Sequence, residues 1–332
     1  MTRAKRILWA DLGRGLAAYG VIAYHMDVPS SGQYFVLVDF FFVLSGFVLS
    51  RSVDRIQTAA DWRHFMVKRL YRFMPLVWMA LFVRVAIAFG GTLVGKPCDT
   101  AECQFLPVIS AALMLQFIVP VALTVMGPLW SLSIELIVNA AYAIPVRNRK
   151  PLIVLGVIAG LVLLLVTYLL PQFNIPAFSD RGFARGVLAF GLGLAINFLP
   201  RIQRSWIVTL PALAASLFVL SFGLGYQPLI AAFVFAVLVW GLSNIKMEWD
   251  NPTYAKVAMM FGNASFGIYV WHGAFRGVVQ FLAVRVGLEV DSVSYAVFNF
   301  ITLAAISTVF ALFTYHFIEM PIMRRFAERS KK

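Results

Sequence analysis

PLIVLGVIAGLVLLLVTYLL, residues 151–170, runs for twenty residues without a charge. As a helix it would be about 30 Å long, the thickness of the hydrocarbon core of a bilayer. Residues 205–245 are also free of charge, with room for two more such helices around a turn at GLGYQP. Over all 332 residues the chain is 61% hydrophobic and 13% charged, with mean hydropathy +0.83. Soluble domains carry about 25% charged residues, roughly twice as many. The chain therefore reads as a polytopic, all-α membrane protein.

A net charge of +13 raises the question of nucleic acid. The positive residues are not spread over one face; they fall in clusters between apolar segments. These are Arg3/Lys5/Arg6, Arg51 to Arg72, RNRK at 147–150, Arg201/Arg204, Lys246/Lys256 and the tail MRRFAERSKK. That is the pattern of cytoplasmic loops under the positive-inside rule, and it excludes a nucleic-acid partner. Ten spans, near 7–27, 34–50, 74–95, 129–146, 151–170, 183–200, 206–222, 227–243, 257–282 and 293–317, put every cluster on one side with both termini cytoplasmic. FLPVISAALMLQFIV (105–119) is apolar but short, and a crossing there would carry RNRK outside. A re-entrant segment resolves the conflict. Residues 1–332 read as a single transmembrane domain, with 51–73 as a basic cytoplasmic loop. The first span is followed by no small-residue cleavage site and is expected to be retained. Cys98 and Cys103 flank DTAE in a polar loop, a spacing that permits a disulfide if the loop faces an oxidising compartment. The loop offers too few ligands for a metal.

Against this apolar background the polar intrusions stand out, because ionisable groups inside a membrane are costly and usually functional. LGRGLAAYGVIAYHMD (12–27) holds Arg14 and His25 with nothing charged between them. On a helix, eleven residues make three turns plus about 20°, so the two share a stripe about 16 Å long. Asp11, three residues before Arg14, can pair with it. An arginine reaching the inner surface and a histidine hydrogen-bonded at the outer one would also fit. VDFFFVLSGFVLS (38–50) places Asp39 at the start of the second span. Its Ser45-Gly46 pair suits close helix packing. HFMVKRLYRFMPLVW (64–78) carries Lys68, Arg69 and Arg72, suited either to lipid headgroups or to the phosphates of a soluble anion. GPLWSLSIELIVNAAY (127–142) sets Glu135 beside Trp130, Ser131 and Ser133. Read by depth, Glu135 lies near His25 and could orient it, act as an acid or base, or hold a neighbouring helix. Arg185 and His272 are further intrusions, and Glu319 looks like an end-cap partner for the arginines after it.

Taken in order, these stretches resemble the bacterial acyltransferase-3 family. DLGRGLAAYGVIAYH resembles its opening arginine–ten residues–histidine motif, and VDFFFVLSGFVLS its "DLFFVLSGF" stretch. KRLYRFMPLVW resembles the R-x-x-R-x-x-P segment, here Arg69, Arg72 and Pro75. PLWSLSIEL resembles "WSLSVE", ending at Glu135. ARGVLAFGLG, SFGIYVWH and FIEMP resemble weaker late motifs. The aromatic-rich run after the glutamate is replaced by ELIVNAAY, and the esterase-like periplasmic domain of some members is not expected here.

The resemblance implies an enzyme of the bacterial inner membrane. Such an enzyme moves an acyl group, most often acetyl, from cytoplasmic acyl-CoA to a hydroxyl of an extracytoplasmic or lipid-linked glycan or a lipid. A sugar hydroxyl needs a base, and neutral histidine is the usual one near pH 7. The phosphates of CoA call for arginine and lysine. His25 is thus expected as general base or transient acyl carrier, with Glu135 assisting it. Lys68, Arg69 and Arg72 would hold the CoA phosphates, and Arg14 the donor arm or the developing oxyanion. Asp11, Asp39, Ser45, Trp130, Ser133, Arg185 and His272 would support substrate or structure, with no metal. A transporter using the same ionisable groups as a relay is the alternative, but paired inverted halves are not evident.

Overall fold

The computed structural model describes residues 6–92, 100–116, 125–170, 181–245 and 251–329. Among them there is no strand. The helices are α1 (Leu8–His25), α2 (Leu37–Ser50), α3 (Ala59–Thr92), α4 (Phe105–Ala112), α5 (Trp130–Tyr142) and α6 (Lys150–Leu169). They continue with α7 (Gly182–Ala195), α8 (Trp206–Ser221), α9 (Gln227–Ser243), α10 (Pro252–Arg285), α11 (Val293–Thr314) and α12 (Met320–Arg329). Three stretches, 59–92, 150–169 and 293–328, are long and apolar enough to cross a membrane, and 34–50, 182–198, 206–221 and 227–243 are shorter apolar helices. Of the ten segments expected to span, 74–95, 151–170 and 293–317 overlap the three long stretches, 34–50, 183–200, 206–222 and 227–243 overlap the shorter apolar helices, and 7–27, 129–146 and 257–282 overlap α1, α5 and α10.

Two expectations change. Residues 51–73 are not a loop: a short 3₁₀ turn at Val53–Arg55 leads into α3, which is helical from Ala59 onward. Its start is a capping box in which Asp61 N–H donates to Thr58 Oγ1 at 3.1 Å and Thr58 N–H donates to Asp61 Oδ2 at 2.9 Å. The Thr58 hydroxyl and the Gln57 and Thr58 N–H groups hold the Asp61 carboxyl below its usual range. Arg63, Lys68, Arg69 and Arg72 of the basic cluster therefore sit on α3, while Arg51 and Arg55 precede it. Glu319, expected to pair with the arginines after it, instead lies buried in a π turn at Tyr315–Glu319, with its Oε1 in no hydrogen bond among the described residues. Of the segment expected to be re-entrant, 105–119, the structure describes residues 105–116. The eight residues of α4 rise only about 12 Å, too few to cross, and Phe105 and Leu106 are exposed. Residues 117–119, Cys98, Arg3, Lys5 and Lys246 lie outside the described residues.

Helix directions follow from which residues meet. Asp11 of α1 lies against Gly262 of α10, and His25 against His272, so these two helices run parallel. Asp39 of α2 meets Arg185 of α7, and Gly46 meets Phe190, so these also run parallel. A Cβ on Gly46 would collide with the Phe190 carbonyl, and one on Gly193 with the Val43 carbonyl. The α2–α7 crossing is thus backbone against backbone, the way membrane helices associate through small residues. Gly46→Leu should break this crossing, read as loss of the folded peak on size-exclusion in detergent; a folded, fully active variant would overturn the assignment.

The α2–α7 pair is also pinned by charge. Asp39 is 0% and Arg185 1% exposed, with Nε donating to Oδ1 at 3.1 Å and Nη2 to Oδ2 at 2.8 Å. Nη2 also donates to the Phe35 carbonyl at 3.2 Å. The guanidinium lies 5.3 Å from the Phe35 ring and 5.7 Å from the Trp130 ring, within cation–π range.

Candidate active site

A cavity of about 380 Å³ opens among α1, α2, α3, α5 and α10, at the end of the molecule where Arg6, Arg51 and Arg55 lie. Its lining holds six arginines, at positions 6, 14, 51, 55, 69 and 72, and two carboxylates, Asp11 and Glu135. Six positive against two negative charges leaves an excess of four in a space walled largely by apolar side chains.

The carboxylates organise half of those arginines. Asp11 Oδ1 accepts from Arg14 Nη2 at 2.7 Å, and its other oxygen takes the Arg6 guanidinium. Arg6 also donates to Asn263 Oδ1 at 2.7 Å, which ties the entry of α1 to α10. Only glycine fits at 262, because a Cβ there would occupy the space of the Asp11 side chain. Deeper in, Glu135 Oε1 accepts from Ser45 Oγ at 2.7 Å and lies 3.8 Å from Arg69 Nη1. Arg51, Arg55 and Arg72 have no carboxylate within ion-pair distance among the described residues, although the buried Glu319 lies near enough to Arg72 to feel its charge.

Phe41, Ser131 and Tyr269 also line the cavity. Tyr269 donates its hydroxyl hydrogen to the Pro128 carbonyl at 2.7 Å and meets the Ser131 hydroxyl at 2.7 Å. Its ring stands edge-on to Phe41, with centroids 5.8 Å apart, and to His272, 5.5 Å apart. His272 in turn stacks on His25 at 5.3 Å with 25° between the planes. A continuous line therefore runs from the arginines, past Tyr269 and His272, to His25.

The residues singled out from sequence fall into three groups. Asp11, Arg14, Ser45, Arg69, Arg72 and Glu135 share the cavity. His25 and His272 form the pair outside its lining. Asp39, Arg185 and Trp130 make the buried brace between α2, α7 and α5. Two placements are corrected. Glu135 is not beside His25: its partners are Ser45 and Arg69, because Glu135 and Ser45 face each other where α5 passes α2. Lys68 does not line the cavity and is exposed. On α3, Arg72 falls between Lys68 and Arg69, about 40° from the first and 60° from the second, so the inward stripe ends at Arg72. Ser133 is also elsewhere, donating to Gln116 Oε1 at 2.5 Å. Cys103 is disulfide-bonded, while Cys98 lies outside the described residues. Sequence reasoning missed Arg6, Arg51, Arg55 and Tyr269 as site residues. The three arginines were visible only as cluster members; Tyr269 had no signal beyond standing three residues before His272.

Fold and cavity together define a multi-pass, helical membrane protein with an arginine-lined chamber whose Tyr269 touches a pair of imidazoles. The chain belongs to the acyltransferase-3 family, whose acyltransferase domain matches residues 7–315, and it is an acyltransferase. It is 26% identical to the exopolysaccharide production protein ExoZ of Rhizobium meliloti, over 91% of this chain and 92% of that one. It is also 26% identical to the putative peptidoglycan O-acetyltransferase YrhL of Bacillus subtilis, over 93% of this chain but 54% of that one. The chain therefore spans about half the length of that second relative. A third relative, protein 2 in the picA locus of Rhizobium radiobacter, is 30% identical over 42% of this chain and 82% of its own. No solved structure matches the chain.

Proposed function

We propose that the protein is an O-acetyltransferase that takes acetyl from cytoplasmic acetyl-CoA and delivers it to a hydroxyl of an extracytoplasmic or lipid-linked glycan. The observation that carries this reading is the cavity's excess of four positive charges at the end of the molecule where the basic clusters gather. The positive-inside rule makes that end cytoplasmic, with ten crossings, both termini inside and the bilayer that of the cell. CoA enters from the same side. Arg51, Arg55 and Arg72, with no carboxylate at ion-pair distance among the described residues, would take its phosphates in the forked geometry that suits arginine. Arg14 and Arg69, held by Asp11 and Glu135, line the path for the rest of the donor. In this arrangement Glu135 is a positioning residue for Arg69 rather than for His25. His25 removes the proton of the acceptor hydroxyl as that oxygen attacks the acyl carbon. The printed names of the relatives, one concerned with exopolysaccharide and one with peptidoglycan O-acetylation, support a glycan as acceptor.

The test is inverted membrane vesicles supplied with radiolabelled acetyl-CoA, with alkali-labile label counted in vesicle-bound material. Label should accumulate with the wild type. If none does, and proteoliposomes instead show His25-dependent solute flux, the protein is a transporter. A charge-assisted hydrogen bond contributes about 1.5–3 kcal/mol. Replacing Arg51, Arg55 and Arg72 together by alanine should therefore raise the KM for acetyl-CoA by about two orders of magnitude or more, leaving kcat within threefold. Lys68→Ala should leave KM within about twofold, since Lys68 lies outside the cavity. A fall in kcat at unchanged KM in the triple variant would remove those arginines from donor binding.

A further inference from the structure

His272 is 0% exposed, and neither of its ring nitrogens has a hydrogen-bond partner among the described residues. The Ile268 and Tyr269 carbonyls one turn back lie near it but outside hydrogen-bond geometry. A buried polar ring left unbonded is a standing cost to the fold, and a phenylalanine would fill the same slot between His25 and Tyr269 without it. The position is therefore not explained by packing. Among the described residues it is also where the line from the cavity meets His25: Tyr269 stands edge-on to the His272 ring and His25 stacks on it. Two imidazoles 5.3 Å apart and within 25° of parallel can each offer a nitrogen to one small group lying across their edges.

The geometry points to His272 as a second catalytic residue, whose N–H binds the acyl carbonyl oxygen and stabilises the oxyanion formed on it. The assignment rests on the acetyl-CoA reading above. His25 takes the hydroxyl proton while the acceptor oxygen forms its bond to the thioester carbon. The carbonyl π electrons move onto the oxygen held by His272. When they return, the carbon–sulfur bond breaks, and the thiolate leaves with the proton that His25 had taken. The products are an acetyl ester and free CoA, with nothing oxidised or reduced. His272 stays neutral throughout, donating a hydrogen bond in a site screened from water.

The decisive experiment compares His272→Phe and His272→Asn in the same vesicle assay, with binding of CoA and thermal melting measured on the purified proteins. His272→Phe keeps a flat ring against His25 and Tyr269 but has no donor. It should lower kcat by about 10²–10³-fold, with CoA binding within twofold and melting unchanged or raised. His272→Asn restores an N–H donor and should recover at least tenfold over the phenylalanine variant. Transfer by His272→Phe at more than a third of the wild-type rate overturns the assignment. So does equal inactivity of both variants accompanied by lost CoA binding or lowered melting, which marks a structural role. Wild-type protein that esterifies nothing from acetyl-CoA overturns the donor reading itself, and this inference with it.

Discussion

His25→Ala should lower acyl transfer by about 10²–10⁴-fold, the range a general base contributes, and leave the donor's KM close to that of the wild type. The separation of effects follows from where the residue sits. His25 closes the last turn of α1 and is not part of the cavity lining. Arg14, on the same helix, is part of it, and the two are about 16 Å apart along the axis. Truncating the imidazole therefore touches no arginine that would hold the donor. The partly buried position of His25 at a helix end also makes a large stability loss unexpected. Arg14→Ala is the contrasting case. It removes one of the two arginines paired with Asp11 in the cavity and should raise KM by about tenfold or more, through loss of a charge-assisted bond to the donor. Steady-state kinetics in vesicles, with melting as a control, separates the two variants. Full activity in His25→Ala would falsify the base assignment, and an acetylated His25 trapped in wild-type protein would show it to be an acyl carrier instead.

Much of this architecture was legible in the sequence, for a physical reason. Backbone groups in lipid must be bonded within their own helix, so long apolar runs have few alternatives to being helices. That is why 151–170 and 205–245 could be assigned on charge alone. Arg14, Asp11 and His25 were legible because the helical period places residues eleven apart on one stripe. What the period does not supply is the partner across a helix interface. Glu135 was placed near His25 by counting depth along one span, yet its neighbours are set by where α5 crosses α2, which brings it to Ser45 and Arg69. The arginine cluster had the same ambiguity. Charge identified the end of the molecule, but only the helical run of α3 from Ala59 turns Arg69 and Arg72 inward while leaving Lys68 exposed. Arg55 enters the cavity from the turn between α2 and α3, where no periodic pattern applies. Asp39 and Arg185 were each visible as intrusions; that they are one bidentate pair, 146 residues apart, is a tertiary fact.

That pair carries the second large effect. Asp39→Ala should destabilise the protein by about 3–5 kcal/mol, because it leaves the Arg185 guanidinium buried without its counter-charge. Arg185→Leu should cost a similar amount for the mirror reason. Removing both charges together should restore most of the loss, since a buried ion pair replaced by apolar groups is often close to neutral. Thermal unfolding in detergent of the two single variants and the double one gives the coupling directly. Single variants that melt with the wild type would show that the pair is not held buried as described. The consequence for activity runs along α2. Ser45, which donates to Glu135, lies six residues beyond Asp39, about 9 Å along the same helix. A helix no longer held against α7 lets that hydroxyl drift, and Glu135 then no longer places Arg69 in the cavity wall. The surviving folded fraction of Asp39→Ala should accordingly show a raised KM for acetyl-CoA, and the double variant a KM within about threefold of the wild type. If the double variant recovers melting but not KM, the two charges act on the donor directly and not through the position of α2.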